Sequence, residues 1–110
     1  MATRQKSKTT PKNTTRIVLL FQPLCVPQQL PIQGTIAELQ ELVGGDVELV
    51  PWGDYTLYVD AHGLLKGLMP SFFQPLVGTL VVTRYRRGKD VGLDAADLEV
   101  LMRPFTEETP

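Results

Sequence analysis

Apolar and polar residues along this chain fall into short blocks set off by glycine and proline. Residues 16–22 (RIVLLFQ) form a β-branched and aromatic apolar run, most simply a strand buried on both faces. Pro23, Pro27 and Pro31 follow at four-residue intervals. Proline donates no ladder hydrogen bond, so the intervening LCVPQQLPI is expected to be a loop or a ragged edge strand. Gly34-Thr35-Ile36-Ala37-Glu38 has the form of a capping box, with Thr35 at the N-cap and Glu38 three residues later. Ile36, Leu39, Leu42 and Val43 then share one apolar face, and Gly44-Gly45 supplies a left-handed exit. This block predicts a helix of two to three turns.

Residues 46–50 alternate, placing Val47 and Leu49 toward the core and Glu48 toward solvent. Pro51-Trp52-Gly53-Asp54 is turn chemistry. Residues 55–60 alternate again, with Tyr55, Leu57 and Val59 on one face and Thr56, Tyr58 and Asp60 on the other, so the two runs predict an antiparallel pair. A turn at Ala61-His62-Gly63 leads into residues 64–67 and a break at Met69-Pro70-Ser71. Residues 76–85 (LVGTLVVTRY) are the longest strand candidate, and Gly78 within it marks a bulge or a close backbone approach. After a turn over residues 86–90, Asp94 caps a last helix whose inner face is Leu98, Leu101 and Met102, with Pro104 just beyond its end. The order β-(β)-α-β-β-β-α predicts an α+β fold: a mostly antiparallel sheet of about four strands with two helices on one face. No internal repeat or second core is visible. The expected organisation is a basic tail over residues 1–15, one domain over 16–104, and a short acidic tail over 105–110.

Charge sharpens that division. The chain of 110 residues has eleven basic and twelve acidic side chains, a net charge of −1. Residues 1–15 hold Arg4, Lys6, Lys8 and Lys12, no acid, and no apolar residue after Ala2. Such composition cannot offset the entropy of ordering, so this stretch is expected to be disordered. It also lacks the apolar core of a secretory signal. Without it, seven basic residues face twelve acidic ones, and the body carries −5. Four of those seven, Arg84, Arg86, Arg87 and Lys89, fall within six positions. The longest apolar run, residues 17–21, is far short of the roughly 20 residues that span a bilayer, so no membrane role is expected.

Catalytic sets can be tested by elimination. One cysteine, Cys25, excludes an internal disulfide or a multi-cysteine metal site, and fits a reducing compartment. Cys25 is expected to be a small apolar residue of the edge, and His62, the only histidine, a solvated turn residue. Asp54, Asp60 and His62 could in principle offer metal ligands, yet a catalytic zinc site normally takes three protein ligands in firm geometry, and a solvated turn is the expected role of His62. Gly44-Gly45 ends a helix instead of opening one, so no phosphate loop is present. Asp94 and Asp97 fit the N-terminal turn of a helix, where the dipole favours negative charge. No enzyme, cofactor or metal is expected.

Two surfaces remain as binding candidates. Arg84, Tyr85, Arg86, Arg87 and Lys89 combine guanidinium forks with an adjacent aromatic, which suits a nucleotide-like ligand or nucleic acid. The competing account is a solvated hairpin turn that discourages edge pairing. Trp52, Tyr58, Phe72 and Phe73 place aromatics in turns and on a polar-alternating face, as a protein interface does. Against that, Trp52 and one phenylalanine can simply close the end of a thin core.

The stretch Glu38-Leu39-Gln40-Glu41-Leu42-Val43-Gly44-Gly45-Asp46-Val47-Glu48-Leu49-Val50 resembles the helix-to-strand signature of a family of small phage and mobile-element proteins. That family is catalogued only as a domain of unknown function, number 3846. The resemblance continues through residues 55–60, Gly63, Lys66-Gly67-Leu68-Met69-Pro70 and Val77-Gly78-Thr79, and covers roughly residues 35–103. The chain departs from the family in its basic tail and in Pro70-Ser71-Phe72-Phe73-Gln74-Pro75, where many members have an Asn-containing polar stretch. The resemblance carries no activity. It implies a phage, prophage or plasmid gene acting in the cytoplasm of a bacterial host cell. The expected function is a non-catalytic accessory protein that binds a host protein stoichiometrically, with self-association as a further expectation. The alternative is a protein that binds or sequesters a nucleotide-like ligand or nucleic acid through residues 84–89.

Overall fold

Six strands and three helices follow one another in the computed structural model, which describes residues 15–106. They are β1 (Arg16–Phe21), β2 (Gln28–Ile32), α1 (Ile36–Val43), β3 (Val47–Trp52), β4 (Tyr55–Asp60), α2 (Gly63–Lys66), β5 (Leu80–Arg86), β6 (Lys89–Val91) and α3 (Ala95–Thr106). The strands pair antiparallel in the order β2-β1-β5-β4-β3. β5 is central, with β4 along one side. Its other side is shared: β1 pairs with residues 80–82 and β6 with residues 84–86. The fold is therefore α+β. The expected basic tail lies outside the described residues except for Thr15.

Side chains alternate from one sheet face to the other, and both faces are buried. One core contains Leu19, Phe21, Leu57, Val59, Leu80 and Val82, packed with Leu98, Leu101 and Met102 of α3. The other contains Val18, Leu20, Ile32, Tyr58 and Val81, packed with Leu39 and Val43 of α1. The two helices thus cover opposite faces, which corrects the expectation that both lie on one face. The physical reason is in the strands themselves, because β1, β4 and β5 carry apolar residues at successive positions. A single layer of helices would leave half of that surface in water.

α1 begins as its sequence requires. Thr35 is the N-cap, its Oγ1 accepting from the Glu38 N–H at 3.2 Å. Glu38 reaches back past the cap, where its Oε1 accepts from the N–H groups of Gln33 and Gly34 at 2.9 and 2.8 Å. Gly44 closes the helix at φ 91°, a conformation that costs glycine no Cβ clash. Lys66 of α2 then ties this end to β4. Its Nζ donates to the Gly44 carbonyl at 3.0 Å and to Asp60 Oδ2 at 2.6 Å, while Asp60 Oδ1 accepts from the His62 N–H at 2.9 Å. The Lys66 hydrogen bond, then that of the His62 N–H, holds the Asp60 carboxyl below its ordinary value of 3.8.

Several expectations change. The β3–β4 turn is only Gly53-Asp54, and Pro51 and Trp52 belong to β3. Trp52 pairs with Tyr55 across that tight turn, which makes Pro51 a position whose missing N–H points to the free edge. Leu49 is exposed, not in the core, because α1 covers only part of its face. β5 starts at Leu80, and Gly78 precedes it with φ 82°, so close to Leu68 that a Cβ there would stand 2.7 Å from Leu68 Cδ1. Residues 86–90 are not one turn, since Lys89 begins β6. α3 runs through Pro104 to Thr106, so the body extends past residue 104. Pro104 lies in the last helical turn and removes one backbone hydrogen bond there.

Two outcomes follow from the capping and the clamp. Thr35→Ala should lower the unfolding free energy by about 1 kcal/mol in denaturant titration, the usual cost of a lost N-cap. Asp60 titrates lower when folded than unfolded, so its contribution is complete above its ordinary pKa and disappears as pH falls through the folded value. Asp60→Asn should therefore flatten the acid limb of melting temperature against pH, below about pH 4, relative to the parent chain.

Candidate functional site

The alternation of β5 separates residues that stand side by side in the sequence. Arg84 points toward α3. Its Nη1 donates to Asp97 Oδ1 at 2.6 Å, and its guanidinium carbon lies 5.6 Å from the centre of the Tyr55 ring. The Tyr55 hydroxyl donates to the same Asp97 oxygen at 3.2 Å. Burial and the Asp97 charge push the Tyr55 phenol up. The Asp97 side chain is 4% exposed, so the pair is a largely buried one. α3 supplies this carboxylate through a reciprocal cap: Asp94 Oδ1 accepts from the Asp97 N–H at 2.9 Å and Asp97 Oδ2 from the Asp94 N–H at 3.1 Å. That backbone hydrogen bond keeps the Asp94 carboxyl below its usual range.

The remaining members of the basic run do not converge on Arg84. Arg86 reaches Asp94 only loosely, at 3.9 Å, with both side chains exposed. Arg87 occupies the β5–β6 turn at φ 54°, beside Gly88. Lys89 is exposed and pairs across the ladder with Arg86. Tyr85 lies on the opposite sheet face from Arg84 and Arg86, half-exposed. The structure therefore brings Arg86, Arg87 and Lys89 near one another, engages Arg84 with α3, and sends Tyr85 to a different surface.

On that surface Tyr85 borders a groove of about 560 Å³ together with Leu49, Pro51, Thr56 and Asp90. Asp90 collects two hydroxyl donors from β4. Thr56 Oγ1 donates to Oδ1 at 2.9 Å, and the Tyr58 hydroxyl donates to Oδ2. Arg16 Nη1 donates instead to the Asp90 main-chain carbonyl, at 3.1 Å. Burial, and then the Asp90 hydrogen bond, push the Tyr58 phenol far above its ordinary range. Sequence reasoning missed Thr56 and Asp90. Their alternating and turn positions gave a weak signal, because the pairing of β4 and β6 through β5 is long-range.

The aromatic candidates also divide. Tyr58 and Phe73 are buried, correcting the expectation that they face a partner. Phe73 packs in the core with its ring 4.9 Å from Phe21 and 5.3 Å from Trp52. Tyr58 is buried because α1 covers its face. Phe72 remains 54% exposed, and Trp52 partly so. Phe72 lies 4.9 Å from Phe105 of α3 and lines a second groove, of about 590 Å³, with Leu24, Val26 and Met69. Cys25 also lines this groove and is exposed, unlike the apolar edge residue expected. His62 is exposed and borders a different groove, beside Asp60 and Leu76. Among the described residues no group of three or more His, Cys, Asp or Glu side chains could hold a metal. Also among them, no helix is long and apolar enough to cross a membrane.

Removing Arg84 should destabilise the fold more than removing its neighbours, because Asp97 then loses its cation inside the protein. Arg84→Ala is expected to lower the melting temperature by more than Arg86→Ala, Arg87→Ala or Lys89→Ala, as read by thermal unfolding.

No curated protein and no solved structure matches the chain. A family profile does, over residues 15–106, the whole span of the sheet and its helices. The chain therefore belongs to the family described as Domain of unknown function (DUF3846).

Proposed function

We propose that this chain is a non-catalytic accessory protein of a phage or mobile element that works stoichiometrically, by binding a host protein in the bacterial cytoplasm. One observation carries the reading. Leu24 and Val26, in the β1–β2 connection, are 87% and 61% exposed, and they meet Met69 and Phe72 around one groove. Apolar side chains grouped around a concave surface, with an aromatic anchored from behind, match the core of a protein interface. The ring of Phe72 is held in place by Phe73 and Phe105, so little side-chain freedom is lost when a partner docks. The non-catalytic part of the reading draws support from Cys25 and His62, which line separate grooves.

The alternative, a binder of a nucleotide-like ligand or nucleic acid, has less support. Arg84 is engaged with Asp97, which leaves Arg86, Arg87 and Lys89 to meet phosphate. Self-association belongs to the same proposal as a second use of the Leu24 groove.

A photo-reactive amino acid at Val26, in the chain expressed in bacterial host cells, tests the proposal. The expected result is one dominant cross-linked host protein, lost when Leu24→Asp is added. Leu24 is exposed enough for that change to spare the fold. A cross-linking pattern unaffected by Leu24→Asp would overturn the proposal.

A further inference from the structure

The groove beside Asp90 has a chemistry that neither the protein-binding surface nor the basic turn uses. It lies toward the far end of β5 from the Leu24 groove, since Phe21 pairs with Leu80 while Asp90 pairs with Tyr85. Asp90 is the one charged residue among the described residues that line it. Asp90 takes part in none of the three ion pairs among the described residues, and the nearby Arg16 donates to its main-chain oxygen instead. Each carboxylate oxygen accepts one hydroxyl, from Thr56 or Tyr58. A carboxylate offers about four acceptor sites, so each oxygen keeps one in hand. The hydroxyl bonds also fix the plane of the carboxylate, which is what a two-pronged donor requires.

The walls are of a different kind. Tyr85, 52% exposed, offers a ring at the border of the groove. Leu49 and Pro51 form an apolar side, exposed because α1 stops short of them. Among the described residues, no Lys or Arg lines the groove. An anionic ligand would meet the Asp90 carboxylate, and the nearby Arg16 guanidinium is engaged with the Asp90 main chain. A neutral one would leave the carboxylate without a charge partner.

From this the geometry points to a site for an alkylguanidinium: its planar N–H fork on the Asp90 carboxylate, its cationic face against Tyr85, and its methylene stem along Leu49 and Pro51. A guanidinium presents paired donors that match two carboxylate oxygens. It stacks on aromatic rings, and its aliphatic stem covers apolar surface. The same chemistry comes from two sources, a free small guanidinium compound or an arginine side chain displayed by a partner polypeptide. The proposal stands apart from the host-protein reading, because it uses a different groove and none of the residues around Leu24.

Amide NMR of the full chain tests it, with N-ethylguanidinium chloride and the blocked peptide acetyl-Ala-Arg-Ala-amide as probes and urea as the neutral planar control. Saturable shifts are expected at Thr56, Tyr85, Gly88 and Asp90 with either cation and not with urea. Tyr85→Ala should weaken binding about three- to fivefold, the scale of an exposed cation–π contact. Asp90→Asn should weaken it by about tenfold or more, through loss of the charged acceptor. Should Asp90→Asn fail to fold, the exposed Tyr85 still decides the matter. Tighter binding of the peptide identifies the source as a partner's arginine, and tighter binding of the free cation identifies a small molecule. No saturable shift with either cation, shifts of equal size with urea, or an unchanged affinity in Tyr85→Ala would overturn the proposal.

Discussion

Strand β5 has neighbours on both sides and core on both faces, and this double burial sets the terms for everything around it. Leu80, Val81 and Val82 are fully buried, yet they belong to two cores, because successive side chains leave a strand in opposite directions. Apolar burial at a few kcal/mol per side chain on each face requires a layer on each face. α1 and α3 are those layers. Slipping β5 by one residue would exchange the two cores and put Thr83 among the side chains that pack on α3, so the register is strongly specified.

The same two-residue period governs the polar end of the strand. Arg84 emerges on the α3 side and finds Asp97, with the Tyr55 ring and hydroxyl completing its surroundings. One position later Tyr85 emerges on the other side, over the groove where Asp90 receives the hydroxyls of Thr56 and Tyr58. A compact basic sequence thus becomes two surfaces of unlike chemistry. The first is a charge pair used for structure, with three exposed cations around the turn beyond it. The second is an acceptor site walled by an aromatic ring. The cores hold the geometry of both surfaces in place, since Arg84, Tyr85 and Asp90 stand on strands.

Much of this was legible in the residues. The capped helix, the hairpin from Val47 to Asp60 and the final helix follow from Thr35 with Glu38, from strict alternation, and from Asp94 ahead of Leu98 and Leu101. The four-stranded estimate fell short because β2 and β6 are weak locally. β2 carries Pro31 on a free edge, and β6 is three residues long and exists through its pairing with β5. The placement of the helices could have been read from the apolar run in β1, which is too continuous for a sheet covered once. Periodicity within α1 or α3 shows that each has an apolar side. It does not say which sheet face receives that side. Alternation alone sets Tyr58 and Asp60 on the polar side of β4 for the same reason, yet both are buried once α1 and Lys66 close over them. The acceptor site was the least legible part, since Thr56, Tyr58 and Asp90 meet through strand pairing across more than thirty positions.

The central claim is that β5 commits Arg84 to the buried Asp97 carboxylate of α3 while leaving the other cations of the run to solvent. Arginine side-chain NMR tests it most directly, through the Nε–H exchange rate and the rotation of each guanidinium. The account predicts slow exchange and restricted rotation for Arg84, with fast averaging for Arg86 and Arg87. An Arg84 guanidinium as mobile and as exchangeable as those of Arg86 and Arg87 would contradict it.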